Sequence, residues 1–305
     1  MNLFDWDKPF LKIDKPIRLI ELFGGIGAQA KSLERLGVPF EHYRMIEVDR
    51  YAVASYNAIH GTDFHESDIC KIRADDLGIT ETDRYCYIMT YSFPCQDLSV
   101  SGKGKGMKRG SGTRSGLLWE VERILSECNE LPNILLMENV PQVVSQKHIA
   151  DFAEWCSFLE SLGYTNSWSI LNAKDYGVPQ NRERCYMVSF LGNYSYEFPN
   201  PFPLRKTMRD LLEESAPQKY YLSDESVERL CSHLVQVERE RERERDRQHR
   251  ESPRQTVNRQ ETRMGHCYGI SRKEVGREID CAYSLLARDW KGIGNQLGNG
   301  VVYEL

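Results

Sequence analysis

The sequence predicts an α/β protein built on a doubly wound, mostly parallel sheet. Two observations carry this prediction. Short apolar runs that suit buried parallel strands alternate with segments whose apolar residues recur at helical spacing. Glycines or polar residues then follow the apolar runs, as they do where parallel strands end in ligand-binding loops. The 305 residues are enough for one large domain and a smaller one.

The composition is that of a soluble globular chain and argues against several classes of protein. No apolar run of about 18 residues occurs, and no basic-then-apolar leader, so we expect neither a membrane span nor a secretory signal. Nine cysteines without a CxxC pair do not form a disulfide or zinc framework, which predicts a cytoplasmic protein without a metal site. The net charge of −5 means that a nucleic-acid partner would need a locally basic surface.

The first strand, residues 17–23, leads into Gly24, Gly25 and Gly27. Glycines between a strand and a helix let the backbone approach a ligand at the helix N-terminus, although such turns also serve tight packing alone. A helix is expected next, because apolar residues follow at helical spacing: Ile26, Ala30, Leu33 and Leu36.

Two acids after the glycine turn indicate a pocket for a nucleoside. Glu47 lies about 20 positions after Gly27, at the end of a predicted strand over residues 43–48, where nucleoside-binding folds hold the ribose hydroxyls. Asp68 stands where a third strand would end. Three strand ends with polar groups at one edge describe an adenosine-like pocket. The alternative is a set of solvated acids, with Asp49 capping the next helix.

Cys95 follows a buried-looking strand over residues 87–90 and begins an exposed loop rich in glycine. A free cysteine at a strand end is most often a small buried apolar residue. The loop behind it carries Lys103, Lys105 and Arg109 between glycines, which predicts either a lid over a polyanion or a disordered basic loop.

Another strand, residues 134–137, ends in Glu138 and Asn139. A carboxylate at the mouth of a parallel sheet is costly unless it has a partner. Arg182 and Arg184 lie at the start of the last predicted strand, and we expect only one of them to face the site.

Seven segments carry a resemblance to a known family: IELFGGIG, IEVDRYA, SDI, SFPCQDLS, GLLWEVERIL, MENVP and DYGVPQNRER. In their order and spacing they resemble the cytosine-5 DNA methyltransferases over residues 17–190. The family implies a Rossmann-like, S-adenosylmethionine-dependent methyltransferase fold. The SFPCQDLS form is especially similar to enzymes of bacteriophages and bacterial restriction-modification systems.

The resemblance implies a reaction and a role for four residues. Cys95 would add to C6 of a cytosine, Glu138 would bind N3, Arg184 would hold O2, and Asn139 would help fix the loop. The activated C5 would then take a methyl group from S-adenosylmethionine, and no metal is required. The target base would be flipped out of double-stranded DNA.

The resemblance also implies binding residues. The expected contacts to S-adenosylmethionine begin at its methionine end with Phe23, Gly25 and Gly27, continue with Glu47 at the ribose and Asp68 at the adenine, and include Pro94 and Leu117 as pocket wall. The expected DNA-binding residues are Lys103, Lys105, Arg109 and Arg182.

We expect residues 1–198 to form the catalytic and cofactor-binding domain. Residues 199–305 would form a smaller, incomplete target-recognition region with a charged spacer near 238–252, which reads ERERERERD. The stretch around Asn299 imitates the last family motif, but no helix with the expected acid and arginine precedes it. Our preferred interpretation is a truncated gene product, or half of a split enzyme that needs a second polypeptide.

Three other functions compete with this prediction. An RNA cytosine methyltransferase would share the catalytic half but carries a Cys-Phe-Thr signature that is absent here. An inactive remnant or DNA-binding protein would not need every catalytic position filled. A nicotinamide dehydrogenase would share the glycine turn but explains neither FPCQ nor QNRER.

Overall fold

A computed structural model describes residues 9–98, 106–215 and 221–251 together with four short strands closer to the C-terminus. The chain divides into two compact units. One unit contains Met1–Leu171 and Glu183–Pro199, and the other contains Asn172–Arg182 and Asn200–Leu305. The predicted role of the second part in target recognition stays a prediction.

The first unit is organised around a six-stranded mixed sheet with the order β2-β1-β3-β4-β7-β5. Strands β1, β2, β3 and β4 run parallel to one another, and β7 runs antiparallel to β4. The strands of this sheet are β1 (Ile17–Leu22), β2 (Phe40–Ile46), β3 (Cys86–Tyr91), β4 (Ile134–Asn139), β5 (Tyr164–Asn172) and β7 (Glu183–Leu191). A short strand, β6 (Gln180–Asn181), precedes β7 in the chain.

Helices connect these strands, and most of them match the apolar spacing of the sequence. They are α1 (Ala28–Arg35), α2 (Arg50–His60), α3 (Ala74–Leu77), α4 (Leu118–Glu127) and α5 (Ile149–Ser161). Four short 3-10 helices cover Ser115–Leu117, Pro141–Val144, Ala173–Asp175 and Met208–Leu211.

The central strands β1 and β3 are buried on both faces of the sheet, between which their side chains alternate. In β1, Ile20 and Leu22 belong to a cluster that includes the buried faces of α4 and α5. Ile17 and Leu19 point the other way and pack in a cluster with Ala30 of α1. The predicted doubly wound α/β fold is confirmed.

The prediction of a third strand ending at Asp68 is wrong, because the described residues 62–73 form no strand. The side chain of Asn57 takes the place of a strand ladder. It donates to the carbonyl of Phe64 and accepts from the amide of Phe64 and the hydroxyl of Thr62. Since β2 then has no further neighbour, it forms one edge of the sheet.

The charged run of the second unit belongs to one long helix, α6 (Asp224–Glu251), of 28 residues. None of the α6 side chains that the structure describes is buried, which agrees with a solvated, charge-laced segment. The remaining elements are short strands: β8 (Cys267–Gly269), β9 (Arg277–Glu278), β10 (Ala282–Tyr283) and β11 (Asn299–Val301). β10 pairs with β6, and β11 pairs with β8.

Among the residues that the structure describes, no helix combines the length and the apolar character needed to span a lipid bilayer.

Candidate active site

Most of the predicted site residues lie near the carboxyl ends of the parallel strands β1 to β4. Their ladders align Leu22 with Tyr91 and Tyr91 with Met137, so β1, β3 and β4 end together. Because β7 is antiparallel to β4, it begins at the edge where β4 ends, with Asn139 opposite Cys185. Residues before Cys185 in β7 and residues after Met137 in β4 therefore meet at this edge.

The glycine turn, residues 23–27, has a backbone that most side chains would not allow. Phe23, Gly25 and Gly27 have φ angles of 57°, 56° and 78°. The amide of Gly24 donates to the carbonyl of Ile46, which joins the turn to the end of β2. A Cβ at Gly27 would lie 2.3 Å from Nε2 of His60, so glycine is required there for space as well as for conformation.

The carboxylate of Glu47 is held by three backbone amides. Oε2 accepts from Gly25, and Oε1 accepts from Val48 and Asp49, at 2.8–3.1 Å. A carboxylate has about four acceptor positions, so one is left for a ligand hydroxyl. Glu47 thus lies beside the glycine turn, as a ribose-binding acid must, and the arrangement fits the nucleoside end of S-adenosylmethionine.

Asp68 opens a turn of backbone near the end of β2. Its Oδ1 accepts from the amide of Cys70 at 3.0 Å, and its Oδ2 lies 3.7 Å from Nζ of Lys71. The adjacent Ser67 amide donates to the carbonyl of Glu47 at 2.8 Å, which links the two acids without a third strand. The half-buried carboxylate keeps acceptor positions for an amino group.

Phe23, Cys95 and Leu117 are partly buried and pack against one apolar cluster. They come from the glycine turn, the loop after β3 and the 3-10 helix before α4. These three predicted site residues therefore border the apolar cluster on the same side of the sheet as α4 and α5.

The Cys95 loop, residues 93–98, is held by side chains from distant parts of the sequence. Nδ2 of Asn139, at the end of β4, donates to the carbonyl of Phe93 at 3.0 Å. Oγ of the buried Ser115 donates to the carbonyl of Pro94 at 2.7 Å. Both residues flanking Cys95 on its N-terminal side are therefore anchored, and the thiol itself is half-buried.

Asp97 binds both ends of the segment 106–114. Its carbonyl accepts from the amide of Gly106 at 3.0 Å, and its Oδ2 accepts from the amide of Arg114 at 2.9 Å. Sequence reasoning missed Asp97 and Ser115 as supporting residues. The stretch GSGTRSGLLW contains Ser115, but nothing in its spacing shows which hydroxyl reaches the Cys95 loop.

Arg184 and Glu138 form an ion pair at the same edge. Nε of Arg184 lies 3.1 Å from Oε1 of Glu138, and both side chains are less than one-fifth exposed. Nη1 of Arg184 also donates to the carbonyl of Glu183 at 2.7 Å. The carboxylate of Glu138, whose burial at the end of β4 would be unfavourable without a partner, is thus paired with a cation.

The predicted DNA-binding residues have different outcomes. Lys103 and Lys105 lie outside the described residues. Arg109 bonds the carboxylates of Glu122 and Glu154, and its guanidinium lies 4.1 Å from the ring centre of Trp119. A phosphate contact from Arg109 would require these ion pairs to open, and it stays a prediction.

Arg182 lies in the loop after β5, which the side chain of Asn172 closes. Oδ1 of Asn172 accepts from the amide of Arg182 at 3.1 Å, and its Nδ2 donates to Oδ1 of Asn181 at 2.8 Å. These contacts shape the backbone of the NRER segment. A role of Arg182 in DNA binding stays a prediction.

Burial disfavours the thiolate form of four other cysteines of the first unit. Burial raises the pKa of Cys128 and Cys156 to about 11 and that of Cys185 to about 12. Cys86 is buried within the start of β3, and its pKa is raised by burial as well. These thiols remain protonated at neutral pH and are poor nucleophiles.

One edge of the sheet therefore carries a thiol, a carboxylate paired with a guanidinium, and an acid-lined glycine turn. A thiol can add to an electron-poor carbon, and an Arg–carboxylate pair can bind the polar edge of a base. The glycine turn and its acid suit a nucleoside cofactor.

Known proteins resemble this chain in sequence and in fold. The family model of C-5 cytosine-specific DNA methylases matches residues 17–286. The Type II methyltransferase M2.ScrFI of Lactococcus lactis subsp. cremoris is 36% identical over an alignment of 259 positions, gaps included, that covers 69% of this chain and 71% of that protein. The orphan methyltransferase M.SPRI of Bacillus phage SPR is 27% identical over an alignment of 338 positions, gaps included, that covers 94% of this chain and 74% of that protein.

Among solved structures, the Dnmt2 methyltransferase of S. pombe aligns with a TM-score of 0.55 and 25% identity. The alignment covers 71% of this chain and 66% of that chain, so this chain spans just under two thirds of the known structure. The predicted similarity to phage and bacterial enzymes is confirmed by the two relatives. Since the family match covers most of the sequence, the chain belongs to the C-5 cytosine-specific DNA methyltransferase family.

Proposed function

We propose that this chain transfers a methyl group from S-adenosylmethionine to C5 of a flipped-out cytosine in a specific site of double-stranded DNA. Cys95, Glu138 and Arg184 would act on the base, and Asn139 would hold the Cys95 loop. The carboxyl edge of β1 and β2 would hold the cofactor.

The proposed chemistry begins with addition of the Cys95 thiolate to C6 of the cytosine, because C5 alone is a weak nucleophile. The new S–C6 bond moves electron density to C5, and Glu138 offsets this change by hydrogen bonding or protonating N3. Arg184 holds O2 through a charge-assisted hydrogen bond. After methylation, solvent accepts the C5 proton, and the C–H electron pair forms the C5–C6 double bond and expels Cys95 as a thiolate. N3 returns its proton to Glu138.

S-adenosylmethionine supplies an electrophilic methyl group when bound. Phe23, Gly25 and Gly27 would contact its methionine end through exposed backbone, and Glu47 would accept from a ribose hydroxyl with its remaining acceptor position. Asp68 would accept from the adenine amino group. Pro94 and Leu117 would complete the pocket wall.

The observation that carries this proposal is the hydrogen bond from Asn139 to the carbonyl of Phe93. It joins the FPC loop to the end of β4, where Glu138 already pairs with Arg184. The base-binding pair and the thiol-bearing loop are therefore linked through two adjacent residues of one strand. A protein that used only the glycine turn would have no need for this linkage.

Bisulfite sequencing of DNA from cells that express the full chain tests the proposal. We expect new 5-methylcytosine at one recurring sequence with the wild-type chain and none with Cys95→Ser. A matched control is Cys231→Ser, which changes an exposed cysteine of α6 and should preserve methylation. Methylated RNA without methylated DNA would favour the RNA enzyme, and methylation by Cys95→Ser would contradict the assigned nucleophile.

The need for a second polypeptide stays a prediction. If it is right, purified chain alone should bind S-adenosylmethionine weakly, and methylation should depend on a co-expressed partner. Calorimetry that finds micromolar affinity for the isolated chain would contradict it.

A further inference from the structure

A group of polar side chains beneath the glycine turn takes no part in the proposed reaction. Glu34 of α1, His42 of β2 and His60 at the end of α2 converge, and one nitrogen or oxygen atom from each lies within 4.8 Å of the others. The side chain of His60 is fully buried, while those of His42 and Glu34 are 18% and 30% exposed.

The hydrogen bonds of His60 leave a lone pair facing the carboxylate. Nε2 of His60 lies 3.2 Å from the carbonyl oxygen of Ile26, which can only accept, so Nε2 carries the proton. Nδ1 of the neutral ring is then an acceptor, and it lies 2.7 Å from Oε1 of Glu34, which is also an acceptor. Two acceptors at this distance require a cation between them, either a proton or a metal ion.

The same reasoning applies to His42. The hydroxyl of Tyr56 donates to the buried carboxylate of Glu21 at 2.5 Å, so the Tyr56 oxygen accepts from Nδ1 of His42 at 2.8 Å. Nε2 of His42 is left as an acceptor 3.9 Å from Oε1 of Glu34. Histidines that bind metals are oriented in this way, with the outer nitrogen donating to a carbonyl or to a carboxylate-linked partner.

We propose that Glu34, His42 and His60 bind a divalent transition-metal ion of the Zn²⁺ class. Two imidazole nitrogens and one carboxylate oxygen are a ligand set that this ion prefers. With metal–ligand bonds of about 2.0–2.2 Å, tetrahedral ligand atoms lie roughly 3.3–3.6 Å apart. Oε1 of Glu34 lies 2.7 Å from Nδ1 of His60 and 3.9 Å from Nε2 of His42, one distance shorter and one longer than this spacing. Small side-chain rotations would therefore complete the site. The exposed part of Glu34 leaves the fourth position open to water.

Lys31 supports this geometry from the outside. Its Nζ lies 2.6 Å from Oε2 of Glu34, so this oxygen is occupied and Oε1 points to the histidines. A bound ion would connect α1, β2 and α2. It would also order the glycine turn, since the ring of His60 lies directly against Gly27. This site does not depend on the proposed methyl transfer.

Cobalt binding to the purified full chain tests the proposal. Co²⁺ alone, added under reducing conditions, should bind one-to-one and give the visible absorption of a four-coordinate ion with nitrogen and oxygen ligands. The chain has nine cysteines, and binding to them would add thiolate-to-cobalt charge-transfer bands. Zn²⁺ should displace Co²⁺ and raise the melting temperature.

Variants then assign the ligands. Glu34→Gln and His60→Gln should weaken Co²⁺ binding more than Tyr56→Phe, which removes an outer hydrogen-bond partner and should cost about 10- to 100-fold. His65→Gln is the matched control, because His65 is exposed and outside the cluster, and it should bind Co²⁺ like wild type. Glu34→Gln changes a partly exposed helix residue, so it remains informative if a histidine variant does not fold.

The proposal is overturned if Co²⁺ does not saturate the chain below about 1 mM. It is equally overturned if thiolate bands dominate the spectrum, or if Glu34→Gln binds Co²⁺ as tightly as wild type. In each case the cation between Glu34 and His60 is a proton, and the cluster is an ordinary ion pair.

Discussion

The Cys95 loop and the glycine turn lie at the same edge of one sheet, but different interactions hold them. Side chains of Asn139 and Ser115, distant in sequence, anchor the Cys95 loop. The glycine turn depends instead on positive φ angles and on backbone amides that bond Glu47. A loop held by side chains can lose its position through one substitution elsewhere, whereas a turn held by backbone conformation is sensitive mainly to its own residues.

The largest expected effect is that of Cys95→Ser, which should change catalysis without changing cofactor binding. Cys95→Ser should lower kcat by at least about 10³-fold, because a serine hydroxyl is a much weaker nucleophile than a thiolate. S-adenosylmethionine binding should be unchanged, since the glycine turn does not depend on the thiol. Radiolabelled methyl transfer and calorimetry measure the two quantities. Loss of cofactor affinity in this variant would mean that the regions are not independent.

Two glycine substitutions test the backbone origin of the turn. Gly27→Ala should destabilise the fold by about 2–5 kcal/mol, because the positive φ is unfavourable and the new Cβ would meet His60 and Tyr56. Gly25→Ala has a similar φ but no atom within 4 Å of its Cβ, so about 1–2 kcal/mol is expected. Urea denaturation measures both, and equal costs would contradict the steric account.

Asn139→Asp tests the side-chain anchor of the Cys95 loop. The substitution keeps an acceptor for the amide of Val140 but turns the donor to Phe93 into an oxygen that faces a carbonyl. We expect kcat to fall by about 10²-fold with little change in cofactor affinity, and stability to fall by about 1–3 kcal/mol. The control, Asn166→Ala, removes a bond to the carbonyl of Cys156 and should leave kcat unchanged. A normal kcat for Asn139→Asp would show that the hydrogen bond from Asn139 to Phe93 does not position the Cys95 loop for catalysis.

The smallest effect concerns Glu21, which lies beneath the glycine turn. Burial raises the pKa of its carboxyl, although hydrogen bonds from Tyr56 and Ala30 oppose the shift. An acid with a raised pKa in the folded state costs stability as the pH rises from its unfolded value through its folded value. Glu21→Gln should therefore unfold at a higher temperature than wild type at neutral pH, and the gain should disappear at acid pH. Melting curves across this pH range would refute the account if the gain were constant.

Much of the fold could be predicted from apolar periodicity. The buried strands around Leu19, Met89 and Leu135 stood out as short, largely apolar runs. The supposed strand before Asp68 could not be excluded, because an acid after a short segment resembles a strand end. The contacts of Asn57 that replace the ladder are tertiary and leave no periodic pattern.

The candidate site was predicted as a set of residues but not as an arrangement. Motif order named Cys95 and Glu138, but it did not show which of Arg182 and Arg184 faces Glu138, because residues two apart on a strand share a face. The structure separates the two arginines, because Arg182 precedes β7 and its amide donates to the side chain of Asn172. The residues that hold the Cys95 loop could not be predicted, because Ser115 is one of several small polar residues in its segment. The histidine cluster was missed for a related reason, since its three members come from three elements and have no motif spacing.

The most direct test of the central claim is to trap the covalent complex. In duplex DNA of randomised sequence with fluorine at C5 of cytosine, no C5 proton can leave after methyl transfer, so the bond between Cys95 and C6 should persist. Intact-protein and peptide mass spectrometry should find one DNA adduct, on the peptide containing Cys95, only when S-adenosylmethionine is present. An adduct on another cysteine, or methylated DNA without any adduct on wild-type chain, would contradict the account.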